Sequence, residues 1–195
     1  MEGEPTAFGS AYRLLSGAVV PRPIAWVGSR SADGVDNLAP YSFFNVVTPE
    51  PPTLVVSAYG RGDDLKDTAR NAVDRGAFVV HVVTRAFAEA MNETSATLPP
   101  GESEFEHAGL TPAEATEVDA PRIADAPVAF ECSLVETTEV GASTLLFGEV
   151  QWAHVDEELL DDAGKFDVRD LDAVGRLSGS YYAATDDRFA MERPP

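Results

Sequence analysis

Short strand-forming runs, cut by Pro and Gly and not alternating regularly with helices, confine this chain to a mainly β architecture. Residues 23–31 are rich in strand formers, Ala32-Asp33-Gly34 is a turn signal, and Asn37 to Val47 resumes an extended aromatic run, which together predict a hairpin. Pro49, Pro51 and Pro52 break the pattern before a short apolar strand, Thr53 to Tyr59. After the Gly60-Arg61-Gly62 loop, Leu65, Ala69, Ala72 and Val73 form a stripe at helical spacing. Asp63 or Asp64 is the expected cap of that helix and Gly76 its end. Ala77 to Thr84 reads as a strand and Arg85 to Glu93 as a second helix with Phe87, Ala90 and Met91 on one side. Residues 94–127 show no clear period and predict a long excursion with one short helix. Strands at Val128–Thr138 and Ser143–Val155 follow, and a polar tail from about residue 156 holds a short helix near Leu171. At least six strands with a few helices predict one domain over residues 1–195 built on a closed β-barrel. No Gly-x-Gly-x-x-Gly follows a strand, so a doubly wound nucleotide fold is disfavoured.

Charge narrows the partners. The 195 residues carry 33 acidic and 14 basic side chains, a net charge of −19. Phosphate backbones and anionic membrane surfaces need clustered Lys and Arg, so nucleic acid and membranes are excluded as partners. The acidic residues are dispersed, and Lys66 and Lys165 are the only lysines. That pattern fits a protein adapted to a salty cytoplasm, where self-repulsion is screened, or an ordinary acidic protein. No apolar run approaches the roughly 20 residues of a membrane helix. The acidic start Met1-Glu2-Gly3-Glu4-Pro5 lacks a signal-peptide layout, so the expected location is cytoplasmic. The single cysteine, Cys132, rules out an internal disulfide and reads as a small buried side chain.

Hydrolytic motifs are absent: there is no Gly-x-Ser-x-Gly elbow and no P-loop. His81, His107 and His154 are scattered without metal-ligand spacing and read as structural or solvent-facing. Two segments stand out. In Asn37-Leu38-Ala39-Pro40-Tyr41-Ser42-Phe43-Phe44-Asn45, a proline inside a strand-like run forces a bulge or an edge. Phe43 and Phe44 fit a core strand, whereas Ser42 and Asn45 offer polar contacts to a planar heterocycle. In Asp63-Asp64-Leu65-Lys66-Asp67-Thr68, a helix start offers free backbone N–H groups and a positive dipole end to an anion, with Lys66 adding charge and Thr68 a hydroxyl. The alternative for Lys66 is a surface cation paired with Asp63 or Asp67.

The ordered set Arg22-Pro23-Ile24-Ala25-Trp26-Val27, Asn37 to Asn45, Pro51-Pro52 before a strand ending at Ser57, Lys66-Asp67-Thr68 with Asn71, and Ala88 to Asn92 resembles the flavin reductase-like family, which includes flavoredoxins. The resemblance continues through Ser143-Thr144-Leu145, Gly148-Glu149-Val150 and Arg176-Leu177-Ser178-Gly179-Ser180-Tyr181-Tyr182 and covers nearly the whole chain. It implies an FMN-binding split barrel that holds FMN without a covalent bond, usually as a homodimer. Carried over residue by residue, Ser42, Phe43, Phe44 and Asn45 would line the isoalloxazine ring, largely through backbone groups. Ser57 would lie near the ring or the ribityl chain, and Lys66, Asp67 and Thr68 would hold the phosphate. Met91 and Asn92 would lie close by, and Tyr181 or Tyr182 would close over the site. The family often has Gly-Asn where this chain has Gly179-Ser180, which weakens contacts assigned to the tail. The implied activity is an NAD(P)H-dependent flavin reductase, with NADH or NADPH as donor and free flavin or a partner protein as acceptor. The alternative is a flavin-binding electron carrier without reductase activity of its own. No side-chain catalyst and no metal is expected, because the flavin carries the chemistry.

Overall fold

Ser10 accepts a hydrogen bond from the Arg13 N–H at 3.1 Å and so caps a first helix, α1 (Ala11–Ala18), which the sequence reading did not assign. Only Ser16 of this helix is buried, and its apolar residues Tyr12 and Leu15 are left exposed. The computed structural model describes residues 2–99 and 101–194; Met1, Pro100 and Pro195 lie outside that description. The predicted hairpin is present as β1 (Ala25–Arg30) and β2 (Asp36–Tyr41). The extended run does not continue to Val47 in one piece: Ser42 and Phe43 break it, and a separate strand, β3 (Phe44–Pro49), follows. Then comes β4 (Pro52–Tyr59).

The helix α2 (Asp67–Arg75) starts later than expected, and neither Asp63 nor Asp64 caps it. Gly62–Asp64 instead form a short 3-10 turn. Leu65 is extended and packs against the barrel core, which separates the two carboxylates from the helix start. Gly76 ends the helix as read, in the left-handed conformation at φ 68°. Strand β5 (Ala77–Val82) leads to a 3-10 turn at Arg85–Phe87 and α3 (Ala88–Glu93). The excursion holds one short helix, α4 (Glu104–His107), and also a small ladder of β6 (Pro112–Glu114) with β7 (Pro121–Ile123). The long strands β8 (Val128–Val140) and β9 (Ser143–Val155) turn at Gly141-Ala142. The expected helix near Leu171 is not formed. That stretch is tied as extended chain, Arg85 N–H to the Asp172 carbonyl at 2.9 Å, and leads into β10 (Val174–Arg176), paired with β11 (Tyr182–Ala184).

Seven strands form one antiparallel sheet in the order β2-β1-β5-β8-β9-β4-β3. Flat, its outer strands would lie roughly 29 Å apart at about 4.8 Å per strand spacing. Yet β2 ends at Tyr41 and β3 starts at Phe44, and three residues span no more than about 11 Å. The sheet must therefore roll until its outer strands approach. The result is a split β-barrel with a few helices packed on it.

Alternation along the strands divides the core. Ala25, Val27, Phe78, Val80, Val56 and Leu146 point inward with Ala69 and Ala72 of α2. Trp26 and Leu38 point outward, into a second cluster with Met91, Phe105 and Ile123. The excursion thus has an apolar reason to fold back on the barrel. Cys132 is fully buried in the inner cluster, and burial pushes its thiol up to about 12, so it is an inert core side chain as expected. His81 is structural: fully buried, its Nδ1 lies 2.8 Å from the Trp26 carbonyl and its Nε2 accepts the Ile123 N–H at 2.9 Å. Among the described residues no helix is long and apolar enough to cross a membrane.

Candidate functional site

The start of α2 is its least satisfied end. Lys66 occupies the N-cap position with extended backbone, φ −63° and ψ 152°, and no side chain caps the helix. Its first N–H groups and positive dipole end therefore remain available. Asp67 pairs with Arg70 at 2.7 Å rather than with Lys66, which removes one of the surface partners considered for that lysine.

This helix start opens on a cleft of about 520 Å³ lined by Lys66, Asp67, Thr68, Asn37, Tyr41 and Glu104, among others. The opposite wall is one face of β2, because Asn37, Ala39 and Tyr41 alternate with the core-facing Leu38. A polar network fixes the wall. Asn37 Oδ1 accepts from the Thr68 hydroxyl at 2.8 Å and from the Ser29 hydroxyl at 3.1 Å. Asn37 Nδ2 donates to Glu104 Oε2 at 2.8 Å, and the same oxygen accepts the Leu38 N–H at 3.0 Å. Burial pushes the Tyr41 phenol above its usual range, opposed by the neighbouring Thr68 hydroxyl. Tyr41 therefore presents a neutral aromatic wall to the cleft.

From Tyr41 the chain enters the barrel break. Ser42 is half-buried, Phe43 is 45% exposed and Asn45 is exposed, while Phe44 packs against the inner core. The Ser57 N–H donates to the Phe43 carbonyl at 2.8 Å, and Phe44 pairs with Val56 and Asn45 with Val55. Ser42 to Asn45 and Ser57 are thus brought together, and Tyr41 links them to the Lys66 cleft.

Met91 and Asn92 fall elsewhere. Met91 is buried in the second core cluster, and its carbonyl accepts from Thr94, whose Oγ1 also accepts the Trp26 indole N–H at 2.8 Å. Asn92 lines a different cleft, of about 850 Å³, between α3 and the β10–β11 hairpin. Arg176 stacks there on Tyr182, 4.5 Å from the ring centre, whereas Tyr181 is 74% exposed.

Asn37, Tyr41 and Glu104 line the Lys66 cleft but were not singled out from the sequence for binding. Asn37 and Tyr41 stood at hand in the proline-broken segment, four residues apart on one face of a strand. Nothing in the sequence places Glu104 beside them.

Comparison with known proteins identifies the family and the fold. Residues 16–170 match the family described as flavin reductase like domain. Nitrilotriacetate monooxygenase component B from Bacillus cereus is 38% identical, with a TM-score of 0.93 and 98% of each chain covered. The Pseudomonas fluorescens 2-nitrobenzoate 2-nitroreductase NbaA is 36% identical, with a TM-score of 0.87 over 94% of this chain and 90% of that one. The flavoredoxin of Desulfovibrio vulgaris (Miyazaki F) is 28% identical, with a TM-score of 0.79 over 89% of this chain and 91% of that one. With the family match spanning most of its length and this barrel beneath it, the chain belongs to the flavin reductase-like domain family.

Proposed function

We propose that this protein is an FMN-dependent oxidoreductase, a flavin reductase that draws electrons from NADH or NADPH. The observation that carries the reading is the uncapped start of α2 at Lys66, opening on a cleft whose far wall ends at Tyr41, the residue that precedes Ser42–Asn45 in the chain. The cleft volume lies within the roughly 300–1,000 Å³ of small-molecule sites. The residues fit a flavin mononucleotide: a helix N-terminus with a lysine suits a phosphate, and a neutral aromatic wall beside small polar groups suits a planar ring.

When bound, FMN supplies hydride acceptance and the release of electrons singly or in pairs. The chain's own work is binding and orientation. Lys66 and the first N–H groups of α2 anchor the phosphate end. Ser42 to Asn45 and Ser57 present backbone and small polar groups to the ring. Thr68 acts differently from the reading carried over with the family: its hydroxyl is committed to Asn37, so it braces the wall of the cleft. Met91 packs in the second core cluster, and Asn92 faces the second cleft.

A homodimer is part of this reading. Tyr12, Leu15, Val19 and Val20 around α1, with Phe43, Val46 and Val47, leave apolar side chains exposed that a second copy of the chain would cover. Sedimentation in high salt tests it. The net charge of −19 supports folding in a salty cytoplasm, with the whole of residues 1–195 acting as one unit.

The deciding experiment is an absorption spectrum of protein purified in high salt, followed by anaerobic NADH and then NADPH. A flavin spectrum that bleaches with either nucleotide supports the reductase and names its donor. A flavin that stays oxidised supports the electron-carrier alternative. A colourless protein that cannot be reconstituted with FMN overturns both.

A further inference from the structure

Arg22 is a buried cation without a counter-charge. It is only 7% exposed. Its Nη2 donates to the Leu177 carbonyl at 2.8 Å, and its Nη1 to the Val19 carbonyl at 3.0 Å and to the Ser16 carbonyl. These acceptors are neutral, no carboxylate is among its partners in the described residues, and Nε has no partner. Burying an unpaired charge is costly, and the carbonyls at the negative end of α1 offset only part of that cost.

The guanidinium is also held in place. The Arg22 and Arg176 backbones exchange two hydrogen bonds, at 2.9 and 2.8 Å. A Cβ on Gly175 would stand 2.8 Å from the Pro21 Cβ, so a glycine is required for the tail to approach this closely. On its other side, the Arg22 guanidinium carbon sits 5.8 Å from the centre of the Phe43 ring. Phe43 lies inside the segment assigned to the flavin ring.

We infer that Arg22 is a positioning residue: it locks the Leu177 turn beside Phe43 and keeps there a buried positive charge that favours the reduced state of the bound flavin. The inference rests on the flavin reading of Ser42–Asn45. Reduction adds negative charge to the ring system, and a fixed, poorly solvated cation stabilises that charge more than water-exposed lysines would.

The test uses the full chain loaded with FMN in high salt, comparing wild type, Arg22→Met and Arg22→Lys. Arg22→Met is expected to weaken the preference for reduced over oxidised FMN about tenfold, which lowers the two-electron midpoint potential by about 30 mV. Arg22→Lys keeps the charge and is expected to keep the potential. It loses the fork, so protease should cut the apo protein faster within residues 177–189 than it cuts wild type. A role confined to folding would lower the melting temperature of both variants and leave the potential unmoved. Should Arg22→Met not fold, Arg22→Gln, neutral but able to reach one of the same carbonyls, carries the potential measurement. Wild type that binds no FMN sinks the functional reading and this inference with it. Wild type that binds FMN, beside a neutral variant with the same potential, overturns the inference alone.

Discussion

The Thr68 hydroxyl donates to Asn37 Oδ1 at 2.8 Å and is only 2% exposed. This bond joins the first turn of α2 to β2 across the floor of the cleft. Thr68→Val, which keeps the shape and removes the hydroxyl, is expected to cost about 0.5–1.5 kcal/mol of stability. It should change FMN affinity far less than a substitution at Lys66. Urea unfolding and flavin titration of the same variant check both halves, and a large loss of affinity without loss of stability would return Thr68 to the phosphate.

Lys66 is exposed and caps nothing with its side chain. Lys66→Glu should therefore leave the melting temperature nearly unchanged, since surface changes away from such features stay within about 0.5 kcal/mol. The FMN dissociation constant should rise roughly tenfold or more, the size of one charge-assisted contact of about 1.5–3 kcal/mol. Wild-type affinity at matched salt would remove the phosphate assignment.

Gly148 leaves no room for a side chain against the inner core. A Cβ there would stand 2.4 Å from Phe78 Cζ and 2.8 Å from Cys132 Cβ, both on fully buried residues. Gly148→Ala is expected to destabilise by about 1–3 kcal/mol through overpacking. A double variant with Phe78→Leu, which frees that space, should recover part of the loss in calorimetry.

Acid should act through two buried groups in sequence. Burial holds His81 down to about 4 from 6.5, outweighing the favourable bond to the Trp26 carbonyl. The unfolded chain takes up that proton first, so stability is full above pH 6.5 and falls as pH drops towards about 4. His81→Gln should remove that slope from urea midpoints measured across the range.

Glu131 adds a second loss at lower pH. Burial pushes its carboxyl up, but the Thr116 and Glu117 N–H groups, each at 2.7 Å, and His154 at 2.5 Å outweigh burial and hold it below 4.5. Its contribution is therefore present above pH 4.5 and disappears as pH falls through its lowered value. Glu131→Gln is expected to cost about 1.5–3 kcal/mol near neutral pH, because a neutral amide replaces a buried charged acceptor of the Thr116 and Glu117 N–H groups.

Much of the barrel was legible from residue order. Strand-forming runs bounded by Pro and Gly marked β1, β4, β5, β8 and β9, and Gly76 marked the end of α2. The start of α2 was misread because Asp63 and Asp64 have the chemistry of caps, and only the packing of Leu65 against the core shows that they lie one turn too early. α1 was missed although Tyr12, Leu15 and Val19 follow helical spacing, because the stripe is short and packs on no core in this chain. The expected helix near Leu171 lost to backbone bonds with the end of β5 and its following turn, which are contacts across roughly half the chain.

The sequence by itself determined the family, the mainly β architecture and the candidate segments Ser42–Asn45, Ser57 and Lys66–Thr68, because those features are local patterns in a specific order. Only the tertiary structure decided how they share space. Pairing β3 with β4 joins the Phe43 carbonyl to the Ser57 N–H, packing β2 against α2 engages Thr68 with Asn37, and folding the excursion back delivers Glu104 to the same cleft. It also separated Asn92 into a second cleft and seated Arg22 between α1, the tail and Phe43. The physical reason is that each of these relationships is a long-range contact set by strand register and burial, neither of which is written in any one stretch of chain.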